Sequence, residues 1–198
     1  MIEILKKNNS EPYKHFFQHY DCAMGCNQKN IEAISVSSFN FDTNEVESRY
    51  VNLKFITNDE WIFFSNYNSP KAKSFSSNNQ IACLFYWRST NTQIRLKALI
   101  KKTSKEFNNN YFFNRSLNKN ALAISSHQSD PIDSYDEVTK NFDKCLESNN
   151  LRECPDYWGG YSFTPYYFEF WKGHESRINK RDVYEAYKDN WNHYVIQP

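Results

Sequence analysis

Glycine is nearly missing from this chain. Its 198 residues include four, Gly25, Gly159, Gly160 and Gly173, so neither a G-x-G-x-x-G turn nor a phosphate-cradling P-loop can be drawn anywhere along it. Rossmann dehydrogenases and P-loop NTPases are thereby excluded, and any phosphate must be gripped by side chains, chiefly Arg, Lys and Ser. Long basic blocks are missing too. None exceeds Lys101-Lys102 and the formal net charge is +1, whereas a nucleic-acid binder of this size carries a basic stripe. No apolar run approaches a membrane span, and Met1-Ile-Glu-Ile-Leu-Lys-Lys has no apolar core or cleavage site of a signal peptide. The five cysteines are odd in number and irregularly spaced. Free thiols in a reducing cytoplasm, with no membrane partner, are the expectation.

What the chain has in excess is aromatic. Phe, Trp and Tyr make up 18% of the residues, enough for a β-rich core and for stacking surfaces that suit a flat ligand. From Arg49 to Lys102 the pattern predicts four strands. Arg49–Thr57 alternates Val51, Leu53 and Phe55 against Tyr50, Asn52 and Lys54, the period of a half-buried strand. Asn58-Asp59 turns it into Trp61–Ser65. Ile81–Trp87 reads as apolar on both faces and hence central, and Thr92–Ile100 returns after a turn at Arg88–Asn91. A meander this aromatic buries itself only by closing into a barrel or packing on another sheet.

Around it, 31–39 is expected as a first strand and 40–47 as a hairpin loop. Ser10-Glu-Pro opens a helix whose apolar side carries Phe16, Phe17, Tyr20, Ala23 and Met24. Thr103-Ser-Lys-Glu106 caps a helix to about Arg115, 117–125 forms a second, and Ser134 caps a third that turns Tyr135, Val138, Phe142 and Cys145 inward. Residues 149–155 connect to a last block of strands at 161–163, 167–171, 182–187 and 191–196. Strands, then helices, then strands again make the class α+β, with 1–30 as a helical extension to one domain over 31–198.

Two constellations invite chemistry and lose it on inspection. His15, His19, Cys22 and Cys26 share one helical face and are zinc-ligand types, but four ligands on one straight helix are spread too far to converge on a tetrahedral ion. His127 with its neighbouring serines and Asp130 lies in one short loop, where no triad assembles. The basic and hydroxyl residues at element ends, interleaved with Trp87, Trp158 and Trp171, make a better set for a phosphorylated aromatic ligand.

Their order carries a resemblance. Arg49-Tyr-Val-Asn-Leu-Lys54, Phe63-Phe-Ser-Asn-Tyr67, Ser69-Pro-Lys71, Leu84-Phe-Tyr-Trp87, Gln93-Ile-Arg-Leu96, Tyr111-Phe-Phe-Asn-Arg115, Gln128-Ser129, Trp158-Gly-Gly-Tyr161, Glu169-Phe-Trp171 and Arg177-Ile-Asn-Lys-Arg181 succeed one another as in the pyridoxamine 5′-phosphate oxidase family. The resemblance covers residue 31 to the C-terminus. It implies an antiparallel FMN-binding split β-barrel with peripheral helices, a homodimer with FMN at the subunit interface, and oxidation of pyridoxamine or pyridoxine 5′-phosphate to pyridoxal 5′-phosphate by O2. It assigns FMN to Arg49, Lys54, Phe64, Ser65, Lys71, Gln93, Gln128, Ser129, Trp171 and Arg181. The substrate phosphate falls to Lys54, Tyr111, Arg115 and Lys119, and its pyridine ring to Arg177 and Asn179, the pair the resemblance makes catalytic. The alternatives are a related oxidase on another aromatic substrate, of the phenazine-biosynthesis type, or a non-catalytic flavin-binding module.

Three positions depart from the family pattern. Pro70 stands where an Arg usually helps grip the FMN phosphate, a charged hydrogen bond whose loss costs on the order of 1.5–3 kcal/mol. Lys119 replaces a Ser in the substrate phosphate site and adds charge. Asn179 replaces a His beside the pyridine ring. One geometric difficulty also stands: Arg49 and Lys54, five apart, face opposite sides of a regular strand, so a bulge or an interface site is needed to use both.

Overall fold

The computed structural model describes residues 1–147 and 150–198; the connection expected over 149–155 therefore begins outside the described residues. The chain runs β1 (Glu3–Lys6), α1 (Glu11–Gly25), β2 (Ala33–Asn40), β3 (Glu45–Asn52), β4 (Phe55–Thr57), β5 (Glu60–Asn66), α2 (Pro70–Ser77), β6 (Gln80–Trp87) and β7 (Thr92–Lys102). It continues through α3 (Lys105–Asn114), α4 (Leu117–Ser125), α5 (Tyr135–Leu146), β8 (Trp158–Lys172), β9 (Lys180–Tyr187) and β10 (Asn190–Val195). One 10-stranded sheet takes the path β1-β4-β5-β8-β7-β6-β2-β3, with β9 and β10 branching from β8. The path curls so that β3 comes back towards β5, which leaves a barrel open along that seam. All strand pairs among the described residues are antiparallel except β1 with β4.

The expected strand Arg49–Thr57 is two strands. At its middle the amide of Leu53 donates to Glu32 O over 2.9 Å, and that of Lys54 donates to Ile62 O over 2.8 Å. The chain thus leaves the β2 side and joins the β5 side between adjacent residues. That corner breaks the alternation: Leu53 and Ile56 are fully buried, while Phe55 is only half-buried.

β6 also differs from expectation. Ile81, Cys83, Phe85 and Trp87 point into the core, but Ala82 and Tyr86 are exposed, so one face of this inner strand is open. β8 is a single strand of 15 residues where two were expected. Its register slips between the pairs Lys97–Tyr167 and Ala98–Pro165, and a bulge there carries Pro165 within a strand that proline otherwise interrupts.

The core is a box of rings. Phe16 of α1 lies 4.4 Å from Trp61 on β5 and 5.7 Å from Phe85 on β6, and Trp87 is buried with its indole N–H donating to Ile31 O over 3.2 Å. His15 and His19 pack over Phe170 with ring centroids 4.3 and 5.4 Å away, while Cys22 and Cys26 on the same helix are exposed. Met24, expected on the apolar side of α1, is 39% exposed. α3 begins as its capping sequence predicts, the amide of Phe107 donating to Ser104 Oγ over 3.2 Å. α5 departs from expectation: Tyr135 stands exposed and Val138, Phe142 and Cys145 are only half-buried.

Candidate functional site

The open seam between β3 and β5 is a cleft of about 560 Å³, closed at the side by α3, α4 and the loop after α4. It collects Arg49, Lys54, Phe64, Ser65, Lys71, Tyr111, Arg115, Lys119, Gln128 and Ser129. The corner at Leu53–Lys54 brings Arg49 and Lys54 to one cavity and so removes the difficulty of their spacing.

One end of the cleft is built around Lys71. Ser69 and Pro70 start α2, where the fixed φ of proline suits a first helical position, and Lys71 comes next with its side chain turned inward. The Lys71 ammonium donates to Ser65 Oγ (3.0 Å), Ser69 Oγ (3.2 Å) and Gln128 Oε1 (3.2 Å). All three partners are neutral. The residue is 7% exposed, and burial, with Arg49 close by, pulls its pKa down to about 8. Arg49 donates to Ser38 Oγ over 3.4 Å and pairs with the carboxylate of Glu47. Ser129 is held at φ 74°, in the left-handed region.

The other end is aromatic and basic. Tyr111 stacks on Phe64 at 3.8 Å and 8°, and Phe64 lies nearly parallel to Trp158 at 5.1 Å. The guanidinium of Arg115 sits over the Trp158 ring at 4.9 Å and donates to Lys119 O over 2.7 Å. Burial lowers the pKa of Lys54, with Lys119 and Arg115 pushing the same way, and burial raises that of Tyr111.

Two glycines directly after Trp158 fix its position. A Cβ on Gly159 would run into the Tyr67 hydroxyl and the Asn108 amide, and one on Gly160 would lie 2.6 Å from Thr103 Oγ1. Asn108 uses the space, accepting from the Gly160 amide at 2.8 Å and donating to Tyr67 OH at 3.0 Å.

Gln93, Trp171, Arg181, Arg177 and Asn179 are not in this cleft. Gln93 pairs with Trp171 across β7 and β8, and Trp171 with Arg181 across β8 and β9, a transverse row of three on the outer sheet face. Arg181 is anchored by Glu169, donating to Oε1 from Nε (2.9 Å) and Nη2 (2.6 Å). Arg95 donates to Oε2 of the same carboxylate at 2.7 Å, and Tyr167 OH at 3.1 Å. Glu169 is 1% exposed. In the turn between β8 and β9, Arg177 has φ 62° and is exposed, while Asn179 Oδ1 accepts from the His174 amide at 3.0 Å.

Sequence reasoning set Trp158 among the residues for an aromatic ligand but gave no role to Glu47, which pairs with Arg49 beside the cleft, or to Glu169 behind the row. Trp158 carried a signal in the paired glycines after it, since adjacent glycines in a strand mark a close approach of other groups. A lone Glu in an aromatic strand gave none.

Comparisons with known proteins agree with this architecture. Residues 158–198 match the family model described as the pyridoxine 5′-phosphate oxidase C-terminal dimerisation region. The chain is 33% identical over 183 residues to pyridoxine/pyridoxamine 5′-phosphate oxidase 1 of Hydrogenovibrio crunogenus, covering 91% of this chain and 84% of the relative. It is 31% identical over 193 residues to the pyridoxine/pyridoxamine 5′-phosphate oxidase of Rippkaea orientalis, covering 96% and 91%. Among solved structures, PhzG from Burkholderia lata, determined with tetrahydrophenazine-1-carboxylic acid, superposes with a TM-score of 0.89 at 24% identity over 96% of this chain and 93% of that one. A pyridoxamine 5′-phosphate oxidase-related, FMN-binding protein of Nostoc punctiforme gives a TM-score of 0.77 at 11% identity over 96% and 99%. The chain, folded as a split barrel, belongs to the pyridoxine/pyridoxamine 5′-phosphate oxidase family of FMN-dependent oxidoreductases.

Proposed function

We propose that this protein is an FMN-dependent oxidase that converts pyridoxamine or pyridoxine 5′-phosphate to pyridoxal 5′-phosphate with O2 as acceptor, as a cytoplasmic homodimer. The observation that carries the reading is the Lys71 ammonium, buried among neutral oxygens. A buried cation with no carboxylate in hydrogen-bond contact is costly, and a phosphate laid against it, within reach of Arg49 as well, answers that cost. The residues present therefore fit the flavin phosphate even with Pro70 in place of an arginine: Arg49 and Lys71 supply charge, and Ser65, Gln128 and Ser129 supply hydrogen bonds.

FMN held there by Arg49, Lys71, Ser65, Gln128 and Ser129 would supply the redox chemistry, a two-electron oxidation of the substrate with O2 as final acceptor. The chain's own residues do the rest. Lys54, Arg115 and Lys119, with the Tyr111 hydroxyl, hold the substrate phosphate, and the Phe64–Tyr111–Trp158 stack walls that end against water. Gln93, Trp171 and Arg181 line up on the outer face, and Arg177 and Asn179 lie in the adjoining turn. In this reading the same group on a second copy of the chain completes the cleft. The match of 158–198 to a dimerisation region supports that placement, since it contains four of these five residues.

A second reading, an oxidase acting on a different aromatic substrate, is favoured by Asn179, whose amide oxygen is engaged inside its own turn. Anaerobic titration separates the two. Protein loaded with FMN is mixed with pyridoxine 5′-phosphate and the flavin absorbance in the blue is monitored. Bleaching on a catalytic timescale, reversed by air, is expected; a flavin that stays yellow assigns the site to another substrate.

A further inference from the structure

Among the described residues, the carboxylate that acts on both Arg49 and Lys71 is that of Glu47. Glu47 lies two residues before Arg49 on β3, so both side chains project from the same strand face. Its Oε2 is paired with Arg49 Nη2, and its charge also acts on Lys71, raising the pKa that burial lowers. The backbone opposite is β2, where Ser38 is the cross-strand partner of Glu47 and its hydroxyl accepts from Arg49 at 3.4 Å. Glu47 thus touches one of the two cations assigned to the flavin phosphate and acts on the other. At 38% exposure against 21% for Arg49, it is the member of the pair that can swing to solvent.

We propose that Glu47 is a resident competitor for the flavin phosphate: its carboxylate neutralises Arg49 in the empty site and must give way when the phosphate enters. The proposal rests on the assignment of the flavin phosphate to this end of the cleft. Like-charge repulsion in a partly desolvated site then has two consequences. FMN binds more weakly than the two cations alone would allow, and the weakening falls on the phosphate, not on the isoalloxazine ring. Riboflavin, which lacks the phosphate, is indifferent to Glu47.

The test measures dissociation constants of FMN and riboflavin for the apoprotein by flavin fluorescence quenching, in the wild type and in Glu47→Gln, Glu47→Ala and Arg49→Ala. Both Glu47 variants are expected to tighten FMN by about threefold to tenfold and to leave riboflavin unchanged. Arg49→Ala is expected to weaken FMN alone. If Arg49→Ala weakens FMN while the Glu47 variants weaken it too or leave it unmoved, Glu47 orients or ignores Arg49 and the proposal is overturned with the site intact. If none of the variants changes FMN relative to riboflavin, the phosphate lies elsewhere and both the proposal and the site assignment fall.

Discussion

Lys71 Nζ donates to Gln128 Oε1 over 3.2 Å, a bond that ties the first turn of α2 to the loop beyond α4. It leaves the ammonium with neutral partners and a proton that departs at about 8 in the free site. A phosphate placed against Lys71 holds that proton to higher pH, so FMN affinity is full between about 7, above the second phosphate pKa of roughly 6, and about 8, and falls as pH rises further, by up to roughly tenfold per pH unit. Lys71→Met removes this dependence and weakens FMN roughly tenfold to a hundredfold. Fluorescence titrations across the alkaline range read both effects; a wild-type profile that stays flat moves the phosphate away from Lys71.

Arg177→Ala is expected to suppress turnover of pyridoxine 5′-phosphate by at least about tenfold while FMN stays bound with its wild-type dissociation constant. Steady-state kinetics beside a flavin titration make the comparison. Equal activity in mutant and wild type would place the substrate ring away from this turn.

The outer-face row is assigned to the cleft of a second copy, and mixing variants tests that directly. Lys71→Met and Arg181→Ala each damage every site of their own dimers. Co-refolded together, they form hybrids in which one site carries both lesions and the other carries none, so activity returns to roughly a quarter of the wild type. No recovery in a verified hybrid would mean that the row serves the cleft of its own chain.

Glu169→Ala leaves Arg95 and Arg181 together without their shared anion. Arg95 is 49% and Arg181 23% exposed, so both reach water and the loss is that of their charged hydrogen bonds, about 1–3 kcal/mol; a lower urea midpoint is expected even in flavin-free protein. An unchanged midpoint would show that the pair is dispensable to the fold.

Gly159→Ala pushes a methyl group into the Tyr67 hydroxyl and the Asn108 amide. Crowding of this kind costs about 1–3 kcal/mol. Thermal unfolding is expected to move down, and the fluorescence of Trp158 to change as Phe64 and Arg115 shift around it.

Much of this was legible in the chain because its signals are local. Thr92–Ile100 alternates cleanly and folds as read, and Trp61–Ser65, apolar at four successive positions after the turn at Asn58-Asp59, is the expected strand. What stayed hidden depends on neighbours distant in sequence. No glycine or proline marks the corner at Leu53–Lys54, whose amides are drawn to Glu32 and Ile62 on different strands. β1 is four residues long with exposed side chains at three of its positions, and its pairing with β4 leaves no pattern of its own. Glu169 reads as a surface carboxylate until strand register sets Arg95 beside it and Arg181 on the diagonal. Tyr135 fits a helical apolar period yet remains 82% exposed, because periodicity marks a face without naming what covers it.

The corner at Leu53–Lys54 also makes the cleft a gauge of length. Arg49 at one cationic end and Lys54 at the other are joined by five peptide units of a single segment, pinned on one side by β2 and on the other by β5. Their α-carbons can stand no further apart than about 18 Å, and neither can drift without tearing strand hydrogen bonds. On the proposed assignment of both ends to anions, the backbone separation of the two cations is therefore bounded by the covalent chain and not by a loop that could breathe. On that assignment a molecule, or a stacked pair of molecules, would be selected by how far apart it carries its negative ends.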